Sequence, residues 1–310
     1  MKVMTGLIVA AVLAALSSAA YAGAAVAQQR VGGHERGGRL ARSRTPLGRA
    51  AGWIAFLLAE KGWWLAVALN GAGAALHVAA LRYGPLTLVQ PLGALTLVLA
   101  VPLAAVTASR RVGRGEWRGA VITVIGLAGI FALTSTEAGN ATHALDHSGV
   151  LTLSAAAGAV VLVLIYAART AGGAAASLLF ATAAGVAFAV ASVLTKTITL
   201  LVGAHSDWSL LGLAGGVTAF LAIAGLLLSQ SAYQGAEVGA PTAAITLINP
   251  VVAAAIGLTL LGERLVAGTT GALLALGFAL IAGWGVIVLV MREAELESAQ
   301  DDVERFLPTH

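Results

Sequence analysis

The stretch GPLTLVQPLGALTLVLAVPLAAVTASRRVGRGE, residues 84–116, carries prolines within an apolar run and closes on a short basic turn and a glutamate. Its punctuation recurs in the second half of the chain. Tyr83 is followed eight positions on by Pro91, then by Pro102 and Gly115-Glu116; Tyr233 is followed eight positions on by Pro241, then by Pro250 and Gly262-Glu263. The spacing between the prolines differs by two residues and the spacing to the glutamate by one. Each run is otherwise apolar and long enough for the roughly 20 residues a membrane helix needs. The expectation is a duplicated unit of membrane helices, interrupted where the prolines fall.

The composition agrees. The 310 residues are 59% hydrophobic and only 10% charged, against about 25% charged in soluble domains, and the mean hydropathy is +0.91. This is an integral membrane protein. Alanine and 38 glycines outweigh aromatics, which suits helices whose small residues let backbones approach closely. Strict alternation over ten-residue segments, the mark of a membrane β-barrel, is absent. With no cysteine, disulfides, thiolate chemistry and Cys-bound metals are excluded. The net charge of +4 sits in short loops between apolar runs, so nucleic acid is not an expected partner.

Outward from the organising stretch, candidate spans are 3–27, 63–82, 86–107, 117–135, 149–168, 175–202, 209–233, 238–261 and 266–290, nine in all. Ala20-Tyr21-Ala22 and Ala25-Val26-Ala27 resemble signal-peptidase sites, but the apolar run exceeds the about 7–15 residues of a signal core. A retained span is the expectation. The loop 28–48 holds Arg30, Arg36, Arg39, Arg42 and Arg44 and reads as cytoplasmic. Residues 47–60 are too few to cross and read as an interfacial helix, although a ten-span chain in which they cross is the rival count. With nine spans the N-terminus lies outside and the C-terminus inside, giving 14 Lys and Arg inside, three outside (Lys2, Arg82, Arg264) and Lys196 within a span. That bias is the positive-inside pattern. The chain then divides into a first repeat over 1–148, a linker span at 149–168, a second repeat over 169–291 lying upside down relative to the first, and an acidic tail at 292–310 that continues the last helix.

Polar side chains are expensive inside a membrane and are functional candidates by default. They are Asn70, His77, Gln90, Lys196, Gln230 and Asn249. Gln90 precedes Pro91 and Asn249 precedes Pro250; a helix proline frees the carbonyl four residues back, so each pair sets an amide beside an unpaired acceptor. Such amides would either bind a polar solute or satisfy their own kinks and neighbouring helices, and both readings stay open. Pro91, Pro102, Pro241 and Pro250 are the expected helix breaks. Lys196 either reaches the headgroups or places its charge in a central cavity. No Asp or Glu falls within a span, which argues against a dedicated Mg²⁺ or proton site. Glu137, His143, Asp146 and His147 read as a solvated outer loop. No phosphate loop or nucleophile motif points to an enzyme, and no cofactor or metal is expected. Trp63, Trp64, Trp117, Tyr83 and Trp208 suit interfacial anchors.

Pro85-Leu86-Thr87-Leu88-Val89-Gln90-Pro91-Leu92-Gly93-Ala94-Leu95 resembles the signature of NIPA-type magnesium transporters. Tyr233 through Glu263, with Asn249-Pro250 and Leu261-Gly262-Glu263-Arg264, is similar to the second EamA-type repeat of the drug/metabolite transporter (DMT) superfamily. The resemblance implies an all-α polytopic bundle with an inverted internal repeat, in the inner or plasma membrane, moving a small polar or amphipathic solute by alternating access. A NIPA-like magnesium carrier and a non-transporting scaffold are the alternatives. The partners expected are a small-molecule substrate and membrane lipid, with a homodimer left open.

Overall fold

A backbone surrounded by lipid has to satisfy its own N–H and C=O groups, and apolar runs without period-two alternation do so as helices. In the computed structural model, which describes residues 2–35, 46–83, 92–133, 145–203, 207–234, 236–260 and 268–306, every regular element among the described residues is helical. These are α1 (Lys2–Glu35), α2 (Pro46–Ala59), α3 (Lys61–Tyr83), α4 (Leu95–Thr107), α5 (Arg114–Leu133), α6 (His147–Thr170), α7 (Gly173–Gly203), α8 (Trp208–Tyr233), α9 (Gly239–Leu260) and α10 (Gly268–Phe306).

Seven of them, α1, α3 and α6 to α10, are long and apolar enough to cross a membrane. The chain is therefore a polytopic helical membrane protein. Of the remaining two expected spans, α4 has 13 described residues and α5 has 20, with Arg114, Glu116 and Arg118 in its first turns. Helix α2 has 14 residues, about 21 Å at 1.5 Å per residue. It is shorter than any of the seven, and its Leu57 packs with Val31 of α1 and Trp63 of α3.

Contacts between helix ends fix the helix directions. Gly32 of α1 abuts Tyr233 at the end of α8, Arg30 reaches the carbonyl of Thr107 at the end of α4, and Arg292 of α10 lies on Gly115 at the start of α5. Ser177, near the start of α7, bonds the carbonyl of Ala232. Thus α1, α4, α8 and α10 run toward one end of the bundle, and α3, α5, α7 and α9 run away from it. Because Arg30, Arg110, Arg111, Arg114, Arg118, Arg169 and Arg292 gather there, it is called the basic end below.

Alanine and glycine set the packing distances. The largest buried cluster joins α4, α5, α9 and α10 and is built mainly from alanines, with Leu97, Val101 and Leu127 among them. Helix α7 is the most enclosed: 61% of its most apolar stretch is buried, against 17–33% for the other six spans. In the first group of helices α1 packs most extensively on α3, then on α4, and α4 touches α5; in the second, α7 packs most extensively on α8, then on α9, and α9 touches α10. The broadest contact between the groups is α5 against α10.

Two expectations change. Helix α1 continues to Glu35, so the first eight residues of the segment read as the loop 28–48 are helical. Leaving the membrane does not end a helix, and glutamine and arginine are good helix formers. Trp63, expected at an interface, is 5% exposed and buried between α1 and α2, whereas Trp64 is exposed and donates from Nε1 to the Leu58 carbonyl at 2.9 Å. The acidic tail does continue the last helix, to Phe306.

Candidate functional site

The prolines fall in three different settings. Pro102 and Pro250 lie inside α4 and α9. Pro241 is buried in the first turn of α9, where its missing N–H would have had no helical partner; it starts the helix and does not break it. Pro91 and Gln90 lie outside the described residues, as do residues 261–267 with Gly262-Glu263 and Arg264, the arginines at 36–44, and Glu137 and His143.

The polar candidates do not form one cluster. Asn70, midway along α3, donates from Nδ2 to the Ala66 carbonyl at 3.0 Å and so bonds its own helix. His77 and Lys196 are half-buried in the parts of α3 and α7 remote from the basic end. Asn249, half-buried mid-way along α9, makes no side-chain hydrogen bond to another described residue, and its backbone lies against Gly185 of α7.

Gln230 is fully buried close to the basic end. Its Nε2 donates to the carbonyl of Gln28 on α1 at 3.0 Å, while its Oε1 has no partner among the described residues. Gln28 answers by donating from its own Nε2 to Ser229 Oγ at 2.9 Å and to the Leu226 carbonyl at 3.3 Å. Just below, Tyr233 and Thr242 share a buried hydroxyl contact of 3.0 Å between α8 and α9. Gln28 escaped the sequence reading because it stands beyond the apolar run; its signal was an amide one helical turn before a basic end.

At the tip of that end lies the strongest charged arrangement. Helix α4 stops with Ser109 at a φ of 54°; Ser109 N–H bonds the Val106 carbonyl and Arg110 N–H bonds the Ala105 carbonyl at 2.9 Å, the two bonds of a Schellman ending. A left-handed residue there is usually glycine, since a side chain costs of order 1–2 kcal/mol. Ser109→Gly is therefore expected to raise stability by about 1 kcal/mol, read as a higher midpoint in thermal unfolding of the detergent-solubilised protein; an unchanged or lower midpoint contradicts the strain.

That turn aims Arg110 at two carboxylates. Its Nη1 and Nη2 grip Glu116 at 2.9 and 2.8 Å, and Nη2 also donates to Glu237, between α8 and α9, at 2.8 Å. Glu116 Oε2 accepts the Gly113 N–H at 2.6 Å, the backward half of a capping box at the start of α5. Burial alone would push the Glu116 carboxyl up; the Arg110 hydrogen bond, the Gly113 N–H and the charges of Arg110 and Arg292 outweigh it and hold the group below the usual carboxylate range. Donating to Glu116 in turn holds the Arg110 guanidinium above its ordinary value. Glu237 falls between the expected spans 209–233 and 238–261, and nothing in its spacing announces a partner 127 positions away.

At the opposite end aspartates cap helices. Asp146 accepts the Gly149 N–H at 2.7 Å and Asp207 accepts the Ser209 N–H at 2.9 Å, with His147 Nε2 3.0 Å from Ser209 Oγ. The Gly149 N–H and the Ser148 hydroxyl hold Asp146 below its usual range, and the Ser209 hydroxyl and N–H do so for Asp207. Among the described residues no three His, Asp or Glu side chains gather to hold a metal ion.

No family model matches the chain, and neither a curated protein nor a solved structure does.

Proposed function

We propose that the chain is a secondary transporter of the drug/metabolite type, moving a small polar or amphipathic solute across an inner or plasma membrane by alternating access. The observation that carries this reading is the relation between two helix groups. Helices α1, α3, α4 and α5 pack in the same order as α7, α8, α9 and α10, and each runs opposite to its counterpart. An inverted repeat of this kind supplies two related halves that rock about a shared midplane site.

The same aromatic-on-glycine contact joins the first two helices of each group. The Tyr21 ring of α1 covers Gly73 of α3, and the Phe188 ring of α7 covers Gly225 of α8. On this reading α4 and α5 complete nine spans, α6 turns the second copy over, and the basic end faces the cytoplasm with the C-terminal extension of α10.

On this reading the solute site lies around Asn249, beside Pro250 and against the enclosed helix α7. Reconstitution into proteoliposomes tests this. A panel of metabolites, drugs and Mg²⁺ is expected to yield flux of an organic solute, and Asn249→Ala to lower its uptake about tenfold, near the upper worth of one hydrogen bond, with folded yield intact. Wild-type rates in that variant remove Asn249 from the site. Mg²⁺ entry lost on Gln90→Ala would move the assignment to a magnesium carrier, and absence of any flux would sink the transport reading.

A further inference from the structure

We infer that Arg110 is the hub of a latch that holds the basic end of the bundle shut, and that breaking its bond to Glu237 opens this end. The inference rests on the transport reading above and gives it a moving part.

Three features support it. The first is the division of labour at Arg110. Its paired contacts to Glu116 stay within the α4–α5 turn, but its contact to Glu237 crosses from the first helix group to the second. Glu116 is thus a fixed anchor, already tied to Gly113, and Glu237 is the releasable side. The side chains of Arg110 and Glu237 are 28% and 38% exposed, so water can take over both charges when they part. An ion pair at a wet surface is worth little net free energy, which suits a contact that has to open and close.

The second is what lies directly around and behind it. Gln29 donates from Nε2 to the Ala236 carbonyl at 3.3 Å, Arg30 reaches the Thr107 carbonyl at 3.4 Å, and Gly32 lets α1 touch the backbone at Tyr233. The contacts of Gln29 and Gly32 tie α1 to the second group at the end of α8, while that of Arg30 ties α1 to α4 within its own group. Deeper still, Gln28 and Gln230 tie α1 to α8. These α1–α8 contacts follow the line along which the two groups would separate.

The third is the cost left in the closed seam. Gln230 Oε1 is buried with no donor among the described residues, and a buried acceptor left unmade disfavours the closed arrangement. Separating α1 from α8 would wet that oxygen and recover the deficit. The closed end is therefore only marginally favoured, so that a contact of small net worth decides whether it stays shut.

The chain contains no cysteine, so one introduced thiol reports on one place. Ala236→Cys puts it under the latch, at a position 8% exposed. In full-length protein reconstituted with the basic end accessible, a membrane-impermeant maleimide is expected to label this thiol about ten times faster in Arg110→Gln and in Glu237→Gln than in the parent. The two together should add little to either alone. Arg111→Gln, an exposed neighbour, should leave labelling at the parent rate. Where Arg110→Gln lowers the folded yield, Glu237→Gln gives the same reading, since it leaves the grip on Glu116 in place. Parent-like labelling in Glu237→Gln overturns the latch even if solute flux is present. Fast labelling without any flux would leave the latch standing and remove the transport reading.

Discussion

Gly285→Val is expected to abolish recovery of folded protein, and Gly126→Val to do nearly the same. Both residues lie in the contact between α5 and α10, the broadest one between the two helix groups. A Cβ on Gly126 would stand 2.6 Å from the Phe278 carbonyl and 2.7 Å from Ala282 Cβ, and one on Gly285 would stand 2.8 Å from the Gly119 carbonyl and would overlap Thr123. The obstructing atoms are mostly backbone, so no rotamer change relieves the clash. Overpacking of a core costs about 1–3 kcal/mol and occasionally more, and two backbones in contact place these substitutions at the upper end. In lipid the loss is felt fully, because helix association there depends on close packing between small residues and has no hydrophobic drive to fall back on. Gly277→Ala on the same helix is the control: nothing lies within 4 Å of its would-be Cβ, and alanine improves helix propensity by about 1 kcal/mol. Monodisperse yield in mild detergent reads the result. A Gly285→Val protein recovered at parental yield would mean that α5 and α10 do not meet as described.

The sequence made the class of fold plain and left the joints obscure. Apolar run length marks α1, α3 and α6 to α10 because hydrocarbon thickness imposes a length on every crossing helix. The helix expected at 47–60 has its counterpart in α2, which matches it within one residue at each end. Helix ends in water answer to different forces. Nothing in membrane thickness stops α1 at Ala27, and its continuation to Glu35 is what delivers Gln28, Gln29 and Arg30 to their partners. The expected helix breaks do not appear at the three described prolines of the set, since α4 and α9 run on through Pro102 and Pro250, and Pro241 begins a helix.

The polar candidates were chosen one residue at a time, and their partners lie far along the chain. Gln230 was legible as a costly buried amide, but Gln28, 202 positions away, was not. Glu116 stood out through the repeated Gly-Glu step, whereas its connection through Arg110 to Glu237 depends on the turn at Ser109. Glycine packing was foreseen only as a composition. Which glycines lie under which aromatics is decided by helix rotation, and the weak hydrophobic periodicity of lipid-immersed helices carries little information about that.

Those glycines give the sharpest check on the proposed duplication. A Cβ on Gly225 would fall 2.7–3.1 Å from the ring of Phe188, and one on Gly73 would fall 3.0–3.1 Å from the ring of Tyr21. Here, unlike at Gly285, the obstacle is a side chain that can be removed. Gly225→Leu alone is expected to destabilise the protein by overpacking, and Phe188→Ala alone by leaving a void. The double variant should recover much of the loss, because the leucine fills the space the ring has left. The coupling between the two sites is expected to be about 1–3 kcal/mol, toward the top of the range for residues in contact. If α1–α3 and α7–α8 are copies of one unit, Tyr21→Ala and Gly73→Leu should couple with the same sign and similar size. Thermal unfolding of the four single and two double variants measures both cycles under one condition. Additive behaviour at Phe188 and Gly225 would contradict their contact. Coupling at that pair with additivity at Tyr21 and Gly73 would keep the α7–α8 packing and break the equivalence of the two helix groups, since copies that bury an aromatic on a glycine for the same reason have to respond alike when the ring and the gap are exchanged.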